Sequence, residues 1–122
     1  MFEIVHNLGC LLLGGVFVWA GMDHFLRFKS VAGQLAERGF PAPAPLLAAG
    51  SVVEVVAGLC LALGIARPIA AVALVAFTIA ASVLALNFWR YTGPERDGLR
   101  SAFIINIAVV GGLLVAAATE WE

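Results

Sequence analysis

An all-α membrane fold, with four transmembrane helices in an antiparallel bundle, is the architecture this sequence predicts. Of its 122 residues, 62% are hydrophobic and 12% charged, against roughly a quarter charged in an ordinary soluble domain. The mean hydropathy is +1.02. A chain this short cannot turn so much apolar surface inward, so lipid must be the solvent for much of it. Four apolar stretches reach spanning length, at 4–21, 44–63, 68–88 and 101–118, each close to the ~20 residues a helix needs to cross a hydrocarbon core of ~30 Å. They run continuously rather than alternating, and four short spans cannot close a barrel.

The first span has only Glu3 and His6 as polar residues of note before its apolar run. It lacks the basic amino-terminal region of an export signal and is expected to be retained as a helix. A loop follows from about Met22 to Pro43, and its Gly39-Phe40-Pro41-Ala42-Pro43-Ala44-Pro45 stops any helix and starts the next. Only Gly64 to Arg67 separate the second span from Pro68, which predicts a tight hairpin. The third loop, Arg90 to Gly98, carries Gly93-Pro94 and charges of both signs. Trp19, Trp89, Tyr91 and Trp121 lie near span ends, as interfacial aromatics do.

All seven basic residues lie outside the four runs. Arg27, Lys29 and Arg38 fall in the first loop, Arg90, Arg96 and Arg100 in the third, and only Arg67 on the other side. That bias places both longer loops in the cytoplasm and both termini outside. Net charge is −1 with no basic stripe, so nucleic acid is not an expected partner. Two cysteines do not make a disulfide scaffold.

Glu54 is the most informative residue, about ten positions from either end of the second span. An acidic side chain at that depth costs at least ~2.5 kcal/mol on insertion scales, so it is expected to face the bundle interior. Gly50, Glu54, Ala57, Gly58 and Leu61 share one helical side, where small residues let a neighbour approach closely. Low dielectric disfavours a bare charge, so a neutral acid is expected unless a cation faces it. Two readings stay open: interhelical hydrogen-bond glue, or a proton carrier and anchor for a bound polar group such as a quinone carbonyl.

Asn106 lies about two turns into the fourth span, while Asn87 closes the third and Asp23 and His24 close the first on the same side. Together they would form a polar pocket reaching toward Glu54. Alternatively, Asp23, His24 and Asn87 are helix-end residues meeting headgroups, and Asn106 makes a packing hydrogen bond. Cys10 and Cys60 have matching depths near the outer leaflet. A redox pair there competes with the more ordinary reading as small core residues. There is no CxxC, phosphate loop or nucleophile motif, and His6 and His24 are too far apart in depth to share a metal.

Several of these residues together resemble the DoxX-like family of small four-helix membrane proteins. The resemblance covers nearly the whole chain: Gly21-Met22-Asp23-His24-Phe25 at the end of the first span, Gly39-Phe40-Pro41 in the loop, Glu54, Gly58, Leu61, Leu63 and Gly64 in the second span, and Asn106 with Gly111-Gly112 in the fourth. It implies a single membrane domain in the cytoplasmic membrane of a prokaryote. Some members of that family are subunits of a thiosulfate:quinone oxidoreductase, and others accompany membrane complexes handling thiol or oxidative stress. No motif unique to the sulfur-oxidising members is present, and the two cysteines lie outside the shared pattern.

Two functions follow as expectations. In the first, the chain is a subunit of a membrane redox system holding a quinone or other lipophilic ligand near Glu54, with Asn106 and His24 completing a path to the cytoplasm. The chain has no intrinsic cofactor motif, so a partner would supply flavin, haem or metal. In the second, it is a non-catalytic accessory subunit packing against a larger membrane complex or against itself. A transporter fits less well, since no inverted repeat or broken helix is evident.

Overall fold

A computed structural model describes residues 2–121, with side chains described for 3–118. The fold is all-α, as expected: α1 (Phe2–Leu26), α2 (Phe28–Glu37), α3 (Pro43–Leu63), α4 (Arg67–Ala85) and α5 (Gly93–Trp121), with a 3-10 turn at Phe88–Arg90. Four of these are long and apolar enough to span a membrane, over Glu3–Leu26, Pro43–Leu63, Arg67–Arg90 and Gly93–Ala118. Large apolar side chains such as Leu12, Trp19, Val56, Ile69 and Ile105 are more than half exposed, which only a lipid solvent tolerates at this density. The protein is a multi-pass membrane protein.

The chain divides into two compact units, Met1–Ala66 and Arg67–Glu122. In the first, α1 and α3 pack antiparallel: Gly14 lies against Gly58 and Ala62, and Gly21 against Ser51 and Val55. Cys10, Gly14, Phe17 and Gly21 form the buried stripe of α1, and Leu47, Ser51, Glu54, Ala57, Gly58 and Leu61 that of α3. Both stripes follow the three- and four-residue steps that keep side chains on one helical face. The predicted seam is therefore rotated slightly, because Ser51 is fully buried and Gly50 only half-buried.

The stretch expected to be a loop from Met22 to Pro43 is mostly helix. α1 runs on to Leu26, and after a break at Arg27 (φ −110°, ψ 30°) the chain forms α2. Its half-buried residues Phe28, Val31, Ala32 and Leu35 lie on one face, while Lys29, Ser30, Gly33, Gln34, Ala36 and Glu37 are exposed. That amphipathic spacing makes a helix without making an apolar run, so a search for spanning segments passes over it. Gly39, at φ +85°, ends α2: its N–H donates to Ala36 O and that of Phe40 to Leu35 O. Pro43 opens α3 and Gly64, at φ +83°, closes it, with the N–H groups of Gly64 and Ile65 both donating to Cys60 O.

In the second unit, α4 buries Ala70, Ala71, Leu74, Thr78 and Ser82, and α5 buries Leu113, Ala116 and Ala117. The two are antiparallel, since Ser82 meets Asn106 while Phe88, further along, meets Phe103. α5 starts about two turns before its apolar run, which shortens the expected third loop. Pro94 and Glu95 in its first turn suit a helix start. Phe88, Trp89 and Phe103 stack edge to face, and the Arg96 guanidinium lies 5.5 Å over the Phe88 ring. Trp19 and Trp89 are exposed and Tyr91 half-buried; the side chain of Trp121 lies outside the described residues.

Candidate functional site

Glu54 occupies the middle of the 21-residue α3 and is only 4% exposed. It faces α1, because Gly21 on that helix brings backbone to its side: a Cβ at Gly21 would stand 3.2 Å from Glu54 Cβ and 2.9 Å from Ser51 O. Three residues past Gly21, almost one turn, His24 places Nδ1 2.9 Å from Glu54 Oε1. The imidazole is about a third exposed, with its side chain at 32%, whereas the carboxyl side chain is at 6%.

This contact can be made in two ways. An imidazole N–H donates to the carboxylate, or the carboxylic O–H donates to the ring nitrogen. The two arrangements differ by one proton moved along the same hydrogen bond. The pair therefore links a buried acid to a side chain with access to the surroundings, an arrangement along which a proton can move. An unpartnered carboxylate at this burial would be far more costly than the pair.

Ser51 belongs to the same region and was not singled out in the sequence. It lies one turn before Glu54 on the seam, is fully buried, and its Oγ has no hydrogen-bond partner among the described residues. The spacing of Leu47, Ser51, Glu54, Gly58 and Leu61 was the signal that could have found it. Gly14 and Gly21, two turns apart on α1, were likewise the readable mark of a close helix contact.

The remaining expected residues fall in both units. Asp23 accepts two hydrogen bonds from Arg27, from Nε at 3.2 Å and Nη2 at 3.1 Å, on an exposed stretch of α1. Asn106 is in the second unit, well inside α5 rather than two turns from its start, and its Nδ2 donates to Ser82 Oγ at 3.0 Å. Asn87 is also in that unit, half-buried, just past α4 at the head of the 3-10 turn. Cys10 is buried with Sγ 3.7 Å from His6 Nε2, and Cys60 is half-buried; among the described residues no disulfide joins them. No three His, Cys, Asp or Glu side chains converge to hold a metal among the described residues.

Against protein families, a model described as DoxX matches residues 8–87, about two thirds of the chain. The chain belongs to the DoxX family. The DoxX match begins in α1 and ends just past α4, so it contains His24, Glu54 and Asn87 but not Asn106. Comparison of this DoxX protein with curated proteins and with solved structures returned no match.

Proposed function

We propose that this DoxX protein is a membrane subunit of a redox system in which the His24–Glu54 pair exchanges a proton with, or donates a hydrogen bond to, a lipophilic ligand such as a quinone. One observation carries the reading: a carboxyl group buried at mid-span shares a 2.9 Å hydrogen bond with a partly exposed imidazole. Intramembrane ionisable residues are costly and are held where they work. In this reading Glu54 delivers or accepts the proton and His24 refills it from the cytoplasmic side. Electrons come from a partner subunit carrying flavin, haem or metal, because this chain supplies none of the motifs for such a group.

The cytoplasmic membrane of a prokaryote is the proposed location, with both termini outside and the basic residues of the two longer connections inside. A reporter fused to the carboxyl terminus tests that orientation: activity on the cytoplasmic side overturns it.

The close glycine contacts of α1 and α3 and the many exposed apolar side chains support a second reading, an accessory subunit that packs against a larger complex. Gentle purification of the full chain from native membranes, with identification of co-purifying proteins and lipophiles, separates the two. The redox reading expects a quinone-like molecule and an electron-carrying partner; a partner with no bound lipophile overturns it. Within that complex, Glu54→Gln is expected to leave assembly intact and abolish turnover. Lost assembly favours the accessory reading.

A further inference from the structure

Near the start of α1, far from Glu54, two metal-ligating side chains meet. Cys10 is buried, at 3% exposed, and its Sγ lies 3.7 Å from Nε2 of the half-buried His6. His6 precedes His24 by eighteen residues on the same helix, about 27 Å at the rise of an α-helix. We infer that His6 and Cys10 together bind one soft monovalent cation, copper(I), as a nitrogen–sulfur pair. The site and its test are independent of the role given to Glu54, and no redox step belongs to it.

Geometry sets the mode of binding. A d10 ion takes bonds of about 2.3 Å to sulfur and about 2.0 Å to imidazole nitrogen, which hold the two donor atoms about 3.5 Å apart at a tetrahedral angle and about 4.3 Å apart on a line. The observed 3.7 Å corresponds on those bond lengths to an angle of about 120° at the ion. An ion therefore enters between the two atoms without a shift of the helix. Four residues apart, the side chains share one helical face. One turn beyond Cys10, Gly14 packs against Gly58 and Ala62, so the thiol is held beside a close helix contact. The half-buried imidazole is the entrance, and exposed Glu3, three residues earlier on the same face, draws cations to it.

Charge and ligand number set the identity of the ion. Cys10 lies seven residues into the span Glu3–Leu26, about 10 Å along it, where a net charge is costly. Binding replaces the thiol proton: Cys–SH and M+ give Cys–S–M and one released H+, while neutral His6 supplies the Nε2 lone pair. The complex of a monovalent ion is thus uncharged, whereas a divalent ion on the same ligands would leave a positive charge among apolar side chains. Zinc also requires four donors, or three with an open position, and among the described residues no third His, Cys, Asp or Glu joins the pair. Thiolate is the soft ligand that selects copper(I).

The full chain in detergent, kept anaerobic with ascorbate, is titrated with copper(I) against the chromophoric chelator bicinchoninate. One ion per chain is expected to pass from chelator to protein. Cys10→Ser is expected to abolish the transfer. His6→Phe is expected to weaken it by more than about tenfold, the least that even an outer-sphere partner of a metal ligand contributes. Cys60→Ala is expected to bind as the parent does, and excess zinc(II) to leave the copper in place. X-ray absorption of the parent complex, which needs no variant to fold, is expected to show one sulfur and one imidazole nitrogen. No transfer to the parent overturns the site, as does transfer that survives in a Cys10→Ser protein of native circular dichroism. Displacement by zinc, or a shell of two sulfurs without imidazole, overturns it equally.

Discussion

Replacing Gly14 with alanine tests whether α1 and α3 are held at their observed separation by missing side chains. A Cβ at Gly14 would overlap the carbonyl oxygen of Gly58 and stand 2.8 Å from Ala62 N and 3.0 Å from Ala62 Cβ. Two of those atoms are helix backbone, so no rotamer change relieves the overlap and the helices must part. Ordinary contacts lie at about 3.5–4.0 Å, and a gap of about 0.5–1 Å already forfeits about a quarter to a half of each dispersion contact across the seam. The expected cost is about 1–3 kcal/mol. At Gly15, the next residue, a built Cβ meets no described atom within 4 Å beyond its chain neighbours and the backbone of its own helix. There, alanine is expected to gain about 0.5–1 kcal/mol, because it has less backbone freedom to lose on folding. Adjacent glycines on one helix should therefore answer the same substitution with opposite signs. Unfolding in detergent, followed by far-ultraviolet circular dichroism, measures both variants against the parent. If Gly14→Ala proves as stable as Gly15→Ala, the close packing that positions the Glu54 site is not what sets the helix separation.

Other variants probe the polar contacts and the turns. His24→Phe strips the buried Glu54 carboxyl of its observed partner and is expected to cost about 1–3 kcal/mol, whereas Glu54→Gln keeps a hydrogen-bonding amide and is expected to cost under about 1 kcal/mol; equal losses in the same melts would contradict the pairing. A double-mutant cycle of Asn106→Leu with Ser82→Ala is expected to give a coupling of about 0.6 kcal/mol, typical of hydrogen bonds between membrane helices, and zero coupling would refute the contact. Ala66 sits at φ +47°, a conformation alanine disfavours, so Ala66→Gly is expected to raise stability by up to about 1 kcal/mol; a lowered unfolding midpoint would argue against that backbone.

Much of the fold was legible because its evidence is local to the chain. Each apolar run reports its own solvent, and Gly39, Pro43 and Gly64 mark their turns through backbone preferences that need no neighbour. α2 escaped notice because four half-buried residues on one face do not raise mean hydropathy. The start of α5 escaped because its first two turns are polar. Glu54 stood out as a carboxyl amid hydrocarbon, yet Ser51, one turn away and more deeply buried, did not, since a lone serine is unremarkable in a membrane helix.

Composition and run length alone determined that this is a helical membrane protein, and the cost of a carboxyl in hydrocarbon determined that Glu54 faces protein. Its partner was decided by tertiary structure. His24 and Glu54 are thirty residues apart, and Asp23, one position earlier, points instead to Arg27. That choice depends on the rotation and register of α1 against α3, which are fixed where Gly14 meets Gly58 and Gly21 meets Ser51. Asn106 finds Ser82 for the same reason in the other unit. A sequence lists which residues can donate and accept; only the packing of two helices says which of them come within three ångströms.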